Sequence, residues 1–588
     1  MREKWFVKNK KVDYKKISIK YGISELMSRL IINRDINDDE MIKNYINPDF
    51  KNFYDAREMK DIDKAVTILK DKIECNKKIR IVGDYDVDGV ISVYILYTAL
   101  KKCGANVDYE IPDRIKDGYG INESIIYKAQ EDDVDTLLTC DNGISAIDPI
   151  KYAKELGMTV IVTDHHDIPF IEDENSKRTF IASEADAIVN PKQIECKYKF
   201  KKICGAAVAF KLIEVLFEKV KIDKDETYKL VEFVAIATVC DVVDLIDENR
   251  IFVKNGLMMI NTTSNLGLKA LMKETKIEDK EIGTYHLGFV IGPCINASGR
   301  LDSAKRGLEL LLSQSENEAN MLAKELVELN DERKDMTNEG VEKAIELVEN
   351  SEIKKDKVFL IYIPEVHESL AGIIAGRIRE KYNVPTIILT KAEDGVKGSG
   401  RSIEEYNMFE ELLRCKDLLD KFGGHPMAAG LSLQEENIEL LRRSLNQNTL
   451  LTEDDLIPKV TIDTALNLDQ INYHMISDLN MLEPFGKGNS KPLFGAKNVN
   501  AIKAMVLGKN KNVLKIKLKT ILGKSIDGVY FGNINDFEET ILNKYGNEEL
   551  QKLYDGTYNS VNLDLIFYPS INEYNGNSNI QIIIQNYR

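Results

Sequence analysis

The sequence has little that would anchor, staple or export a chain. No stretch of its 588 residues approaches the ~20 consecutive apolar residues of a membrane span. Met1 to Lys20 is polar and basic without an apolar centre, so no secretory signal is expected. Eight cysteines occur with no CxxC pair, which argues against a zinc site and a disulfide framework. They read as small buried residues of a cytoplasmic protein in a reducing environment. Histidine is scarce, six in all, so each position carries weight. Positive charge is in deficit, and a net charge of −16 argues against a protein that coats nucleic acid indiscriminately. A local basic channel stays open, because focusing depends on where charges sit and not on their sum. What remains, 43% hydrophobic and 30% charged, is the composition of a soluble globular protein. The length implies roughly three or four domains.

The chain is organised around Ile79 to Val90. A β-branched run ends in Asp84, Asp86 and Asp88, followed by Gly89 and a helical pattern from Val90 to Lys101. Strand period would place the three aspartates on one face. Carboxylates that close repel unless a cation lies between them, which points to a divalent metal with oxygen ligands. An Asp-rich turn capping the next helix is the alternative. Further on, short runs alternate with helices: strands at Val107–Ile111, Thr136–Thr139, Thr159–Val162 and Ala187–Val189, and a helix at Ile147–Leu156. This rhythm predicts an α/β fold with a doubly wound parallel sheet, in which ligands sit beyond the carboxyl ends of the strands. Three strands deliver acid or imidazole at that end: Asp84, Asp86 and Asp88 after the first, Asp141 after the second, Asp164, His165 and His166 after the third. The convergence favours the metal. An apolar helix at Glu232–Val239 runs into Asp241 and Asp244, and Asp241 is the better candidate for one more ligand.

The charged segment from Ser313 to Asn350 predicts a long helix joining two lobes. A second α/β unit starts at Val358–Ile363, with another strand at Thr386–Leu389. Ser399, Gly400 and Arg401 follow a Gly-rich turn, where backbone N–H groups, a hydroxyl and a guanidinium would form an anion nest. After Leu482 come short strands at Val513–Lys517, Ser525–Tyr530, Leu563–Phe567 and Ile580–Ile584, suggesting an OB-type barrel. Lys509, Lys511, Lys515, Lys517 and Lys519 make a basic stripe that could track a single strand or simply guard a strand edge. The domain divisions expected are an N-terminal cap at 1–50, a catalytic domain at 51–312, a linker helix at 313–350, a substrate-binding domain at 351–454 and an OB-like single-strand-binding domain at 455–588.

An ordered set of motifs resembles the single-strand-specific exonucleases of the DHH phosphoesterase family: Gly83 to Gly89, Arg114 to Gly120, Thr139 to Ser145, Asp164 to His166, Cys240 to Asp244, Gly292 to Arg300, Gly398 to Ser402 and Gly423 to Gly430. The resemblance implies a DHH domain, a DHH-associated domain and two Mn²⁺ or Mg²⁺ ions. Carried over, Asp86 and Asp88 each face one metal, Asp141 bridges both, and His165 and Asp241 complete the shells. Asp84 is a ligand or the carboxylate behind one. His166 contacts the scissile phosphate or orients a ligand. Arg114 is a substrate contact, and Tyr119 stacks on a base or packs in its Gly-flanked turn. Asn296 and Arg300 lie on a flexible small-residue loop at a phosphate. Ser399, Gly400 and Arg401 hold a terminal 5′ phosphate, and His425 lines the cleft between lobes. His367 and His286 stand in or near further motifs, His286 only upstream of Gly292. Relatives usually carry Arg where this chain has Cys294, and Trp-His-x-Gly-Val where it has Val366 and Ser369. The implied activity is 5′ to 3′ hydrolysis of single-stranded DNA by two metals, in recombination and repair. The implied setting is a cytoplasmic monomer, with a helicase and a single-strand-binding protein as candidate partners. The rivals are a DHH phosphatase acting on short oligonucleotides and an inactive DNA-binding scaffold.

Overall fold

The computed structural model describes residues 3–172, 178–392, 395–508, 510–574 and 576–588. Phe53–Val243 and Ile251–Pro458 gather into one compact unit, and Glu3–Asn52, Asp244–Arg250 and Lys459–Arg588 into a second.

In the first unit, β1 (Lys78–Val82), β2 (Asn106–Glu110), β3 (Thr136–Cys140), β4 (Thr159–Thr163) and β5 (Ala187–Val189) form an all-parallel sheet in the order β2-β1-β3-β4-β5. The three central strands are β-branched or leucine runs, buried almost throughout. That composition suits a parallel strand covered on both faces. On one face Val82, Leu137, Val160 and Val162 pack with Ile125, Ile126 and Ile150 of the helices Glu123–Glu131 and Ile147–Glu155. On the other lie α1 (Val87–Lys102) and α2 (Gly205–Val220), with α3 (Val231–Cys240) against both. The chain reverses its direction of travel across the sheet between β1 and β3, where crossovers leave a crevice at the carboxyl ends.

α1 starts three residues earlier than the expected Val90, because Asp86 caps it: its Oδ1 accepts from Gly89 N at 3.1 Å. The aspartates therefore do not ride one strand face. Asp84 lies in the turn, Asp86 is the cap and Asp88 is in the first helical turn. The capping reading of this stretch holds at Asp86.

A π-helical turn at Leu287–Ile291 leads into α4 (Gly292–Leu301). Asn296 to Gly299 are helical here, which corrects the expected flexible loop. Gly299 is needed for close packing, since a Cβ would overlap the Tyr85 carbonyl. The expected connector is α5 (Glu316–Glu349), 34 residues long and capped by Ser315. Beyond it stand β6 (Phe359–Tyr362), α6 (Ala371–Tyr382), β7 (Thr386–Ala392), β8 (Gly395–Arg401), β9 (Lys421–His425) and β10 (Ala428–Leu433). Their sheet runs β9-β10-β8-β7-β6, with only β6 and β7 parallel. Ser399, Gly400 and Arg401 are the last three residues of β8, paired with both β7 and β10. Their backbone is committed to the sheet, so the expected nest of free N–H groups does not form.

In the second unit, Lys4–Val7 pairs in parallel with Lys459–Ile462. β11 (Phe494–Leu507), β12 (Val513–Lys519), β13 (Ser525–Tyr530), β14 (Asn562–Tyr574) and β15 (Asn577–Tyr587) run in the order β11-β12-β13-β15-β14, and β11 pairs with β14 to close the ring. Leu514, Ile516 and Leu518 point into this ring and share a core with Met27, Leu30 and Ile31 of the helix Glu25–Ile32. The buried Arg250 guanidinium donates to the carbonyls of Tyr45, Met481 and Leu482 at 2.9–3.0 Å. On β12, Lys517 and Lys519 are exposed, whereas Lys515 pairs with Asp527 at 2.8 Å. Lys511 sits in a turn with φ 50°, and Lys509 lies outside the described residues. No helix among the described residues is long and apolar enough to cross a membrane.

Candidate metal centre

At the crevice the strand ends and helix ends converge. Potential ligand atoms of Asp84, Asp86 and Asp141 lie within 4.8 Å of one another, as do those of Asp88, His165 and Asp241 and those of Asp141, His165 and His166. His165 Nε2 is central: 3.0 Å from Asp141 Oδ1, 3.6 Å from Asp88 Oδ2 and 3.8 Å from Asp241 Oδ2. Asp241 is the C-cap of α3, which delivers it to the group. Asp244 belongs to the second unit.

Each acid is positioned by backbone. Asp88 accepts from the first two N–H groups of α2, Gly205 at 2.6 Å and Ala206 at 2.8 Å, a helix N-terminus suited to a carboxylate. Asp141 takes the left-handed φ of 60°, rare for a residue with a side chain, while its N–H donates to Thr163 O at 3.1 Å. Gly205 makes room for it, since a Cβ there would stand 2.7 Å from Asp141 Cβ.

The electrostatics demand a cation. Burial, then the charge of Asp86, holds the Asp84 carboxyl well above the usual range. Burial, then Asp88, Asp86 and Asp84, does the same to Asp141. Asp88 is pushed up to about 6 by burial and Asp86, against the two helix N–H groups. Asp84 Oδ1, Asp141 Oδ1 and His165 Nε2 are buried without a hydrogen-bond partner. Burial and the neighbouring His166 charge lower His165 to about 3, which leaves a neutral imidazole available as a ligand. Carboxylates with one imidazole suit Mn²⁺ or Mg²⁺.

His166 is of the opposite kind. Burial opposes its charge, but Asp164 outweighs it and raises His166 to about 9. Asp164 Oδ1 accepts from His166 Nδ1 at 2.8 Å and from the N–H groups of His165 and His166, and Oδ2 accepts from Ile144 N at 2.9 Å. Asp164 thus fixes the histidine pair, a role not assigned to it from sequence although its strand-end position signals it. The Tyr119 hydroxyl donates to Asp141 O at 2.9 Å and lies 3.1 Å from His166 Nδ1, while the ring is half exposed. Arg114 stacks over Tyr85 at 3.9 Å.

The expected substrate residues divide. Asn296 Oδ1 accepts from Val87 N at 3.2 Å, which ties α4 to the start of α1. Arg300, in the last turn of α4, donates to Ser369 O at 2.6 Å. Burial, then Arg114 and Arg333, lowers its pKa to about 10. Arg401 donates to Ser399 Oγ at 3.0 Å, and both face the start of α6, where a Cβ on Gly372 would meet Arg401 Nη2 at 2.7 Å and Ser399 Oγ at 2.8 Å. Gly400 is buried in β8. His425 is exposed at the end of β9, within charge range of Asp167. His367 bonds Ser369 Oγ at 2.8 Å, and His286 accepts from Gly283 N at 3.1 Å as a helix cap. Val366 packs in the core of the second lobe, and Cys294 is buried on α4. Cys75 is exposed, which corrects the reading of every cysteine as buried.

Family models match three segments: the DHH family N-terminal domain at residues 78–238, the DHHA1 domain at 355–449 and the RecJ OB domain at 462–586. The single-stranded-DNA-specific exonuclease RecJ of Bacillus subtilis is 34% identical over 575 residues, covering 97% of this chain and 69% of the relative. The chain belongs to the RecJ family. The RecJ of Escherichia coli is 32% identical over 95% of both chains. A crystal structure of exonuclease RecJ bound to manganese is 30% identical, with TM-score 0.58, over 68% of this chain and 96% of that one. RecJ from Thermus thermophilus in complex with Mn²⁺ shares the fold at TM-score 0.81 and 24% identity, over 100% of this chain and 79% of that one.

Proposed function

We infer that this RecJ-family chain is a Mn²⁺- or Mg²⁺-dependent exonuclease specific for single-stranded DNA, cutting from the 5′ end. The observation that carries the reading is the closure of five aspartates and His165 into one largely buried group near guanidiniums that have no carboxylate partner among the described residues. Asp84, Asp86, Asp88, Asp141, His165 and Asp241 would hold two ions. Bound there, two cations supply the charge that stabilises the attacking and leaving oxygens of a phosphodiester. His166, charged at neutral pH, holds a proton at Nε2 for a phosphate oxygen, with Asp164 fixing its orientation at Nδ1. Arg114, Arg300 and Arg401 bind phosphate, and Ser399 beside Arg401 at the start of α6 suits a terminal 5′ phosphate. The half-exposed ring of Tyr119 stacks on a base while its hydroxyl stays tethered. The role follows as recombination and repair in the cytoplasm, as a monomer working with a helicase and a single-strand-binding protein.

The test uses 5′- and 3′-labelled single-stranded DNA with Mn²⁺ or EDTA, beside Asp141→Ala. Metal-dependent release from the 5′ end is expected, and the variant should lose at least ~10²-fold in rate. Release from the 3′ end overturns the polarity. Products from very short oligomers alone would make the chain a phosphatase, and binding without cleavage would make it a scaffold.

A further inference from the structure

α5 carries a guanidinium that none of the assignments above uses. Asn330, Arg333, Thr337 and Gly340 fall on one face of this helix at spacings of three and four. That face runs from the first lobe to the second. At one end the Asn330 amide donates to the thiol of Cys294 on α4, at 3.4 Å. At the other, Gly340 packs so closely on α6 that a Cβ would stand 2.5 Å from Ile374 Cδ1. Between them Arg377 of α6 donates to Asn338 at 2.6 Å.

Arg333 sits in this gap and is held rigidly. Its Nε and one Nη donate to the same oxygen, Asn330 Oδ1, at 3.1 and 3.0 Å. It forms no ion pair with a carboxylate among the described residues, and neither do Arg114, Arg300, Arg377 and Arg401. In a chain with 96 acidic residues against 80 basic ones, five guanidiniums left without carboxylates in one region are anomalous. Burial is the main cause that lowers Arg300 and Arg333; Arg114, Arg333 and Arg401 add to it at Arg300 and Arg377 at Arg333, while Asp86 and Asp331 act the other way. Such an array attracts an anion, which the substrate can bring. The bonds to Asn330 leave the second Nη of Arg333 without a hydrogen-bond partner among the described residues, and the thiol of Cys294 holds the Asn330 amide nitrogen while its oxygen accepts from Arg333.

We propose that Arg333 binds a backbone phosphate of the DNA strand between the metal centre and the Ser399–Arg401 pocket, with Asn330 and Cys294 as its positioning residues. The proposal rests on the nuclease reading of the site. It assigns the connector helix a share of substrate binding in addition to its role as a spacer.

The experiment compares wild type, Arg333→Gln, Arg333→Lys and Asn330→Ala. It measures anisotropy of a fluorescent single-stranded oligonucleotide in EDTA across a salt series, and steady-state cleavage with Mn²⁺. Arg333→Gln should weaken binding roughly tenfold and raise KM with kcat within about threefold. The slope of log K against log salt should fall by about 0.7, one phosphate on a single strand. Arg333→Lys keeps the charge and therefore the slope, with binding weakened less. Asn330→Ala frees the guanidinium and should raise KM with the slope retained, which a purely structural role would not produce. Unchanged binding and slope in Arg333→Gln, with wild type active, overturn the proposal alone. Loss of binding in Arg333→Gln with the slope intact and a lowered Tm also overturns it. A wild type that neither binds nor cuts DNA overturns the proposal and the nuclease reading together.

Discussion

His165 and His166 are adjacent in sequence and opposite in chemistry. One is lowered to about 3 and stays neutral, the other is raised to about 9 and stays charged. The difference lies in Asp164, whose Oδ1 reaches the ring of His166 but only the backbone of His165. Asp164→Asn is expected to lower the His166 pKa toward its ordinary value and to cost about 10–100-fold in kcat, read by NMR titration of the imidazole beside steady-state kinetics. The aspartates give a pH signature in metal-free protein. Asp88 rises from 3.8 to about 6 on folding, so the native state holds a proton that the unfolded chain has released. That contribution is fully present below pH 3.8 and is lost as pH rises through about 6. Thermal melts in EDTA should therefore show the Tm of wild type falling across this window relative to that of Asp88→Asn, which removes this one contribution. Added Mn²⁺ should reverse the trend, because the ion needs the deprotonated carboxylates. A metal-free Tm difference between wild type and Asp88→Asn that is flat or rises from pH 4 to 7 would contradict this account of Asp88.

At the scale of elements, the site depends on where helices begin. α1 and α2 both open onto the centre: Asp86 caps the first, and the first two N–H groups of the second hold Asp88. Gly205 allows α2 to approach Asp141. Gly205→Ala should push Asp141 aside, destabilise by about 1–3 kcal/mol and weaken Mn²⁺ binding, measured by calorimetry. The equivalent change at Gly104, where a Cβ meets nothing within 4 Å, has no such effect on metal binding. The strand ends were legible in sequence because β1, β3 and β4 are short buried apolar runs closed by acid or imidazole. The helix contacts were not. Nothing local marks Gly205 as the partner of an aspartate 117 positions away. Asn296 to Gly299 look like a loop by composition but are helical, because small residues let α4 lie close against Tyr85.

The whole molecule joins its ends. The N-terminal segment Glu3–Asn52 and the closed sheet after Lys459 belong to one unit and one core, in which Met27, Leu30 and Ile31 pack with Leu514, Ile516 and Phe567. A chain ending at Pro458 should expose the apolar face of the helix Glu25–Ile32 and aggregate. Removing residues 1–52 as well should relieve this, as read by light scattering on size-exclusion chromatography. Equal solubility of the two truncated chains would refute the shared core.

The sequence by itself determined the parallel sheet, the long connector and the set of acids and imidazoles at the strand ends. Strand period, helix period and chain order are local properties, and each motif carries its own chemistry. Only the tertiary structure decided that Asp164 bonds the ring of His166, that α2 holds Asp88, that the Ser399 and Arg401 side chains meet beside Gly372, and that the first fifty residues share a core with the last domain. The contacts of Asp88 with α2 and of the first fifty residues with the last domain join positions more than a hundred residues apart, and even the near pairs meet only in a conformation set by packing that no local pattern encodes.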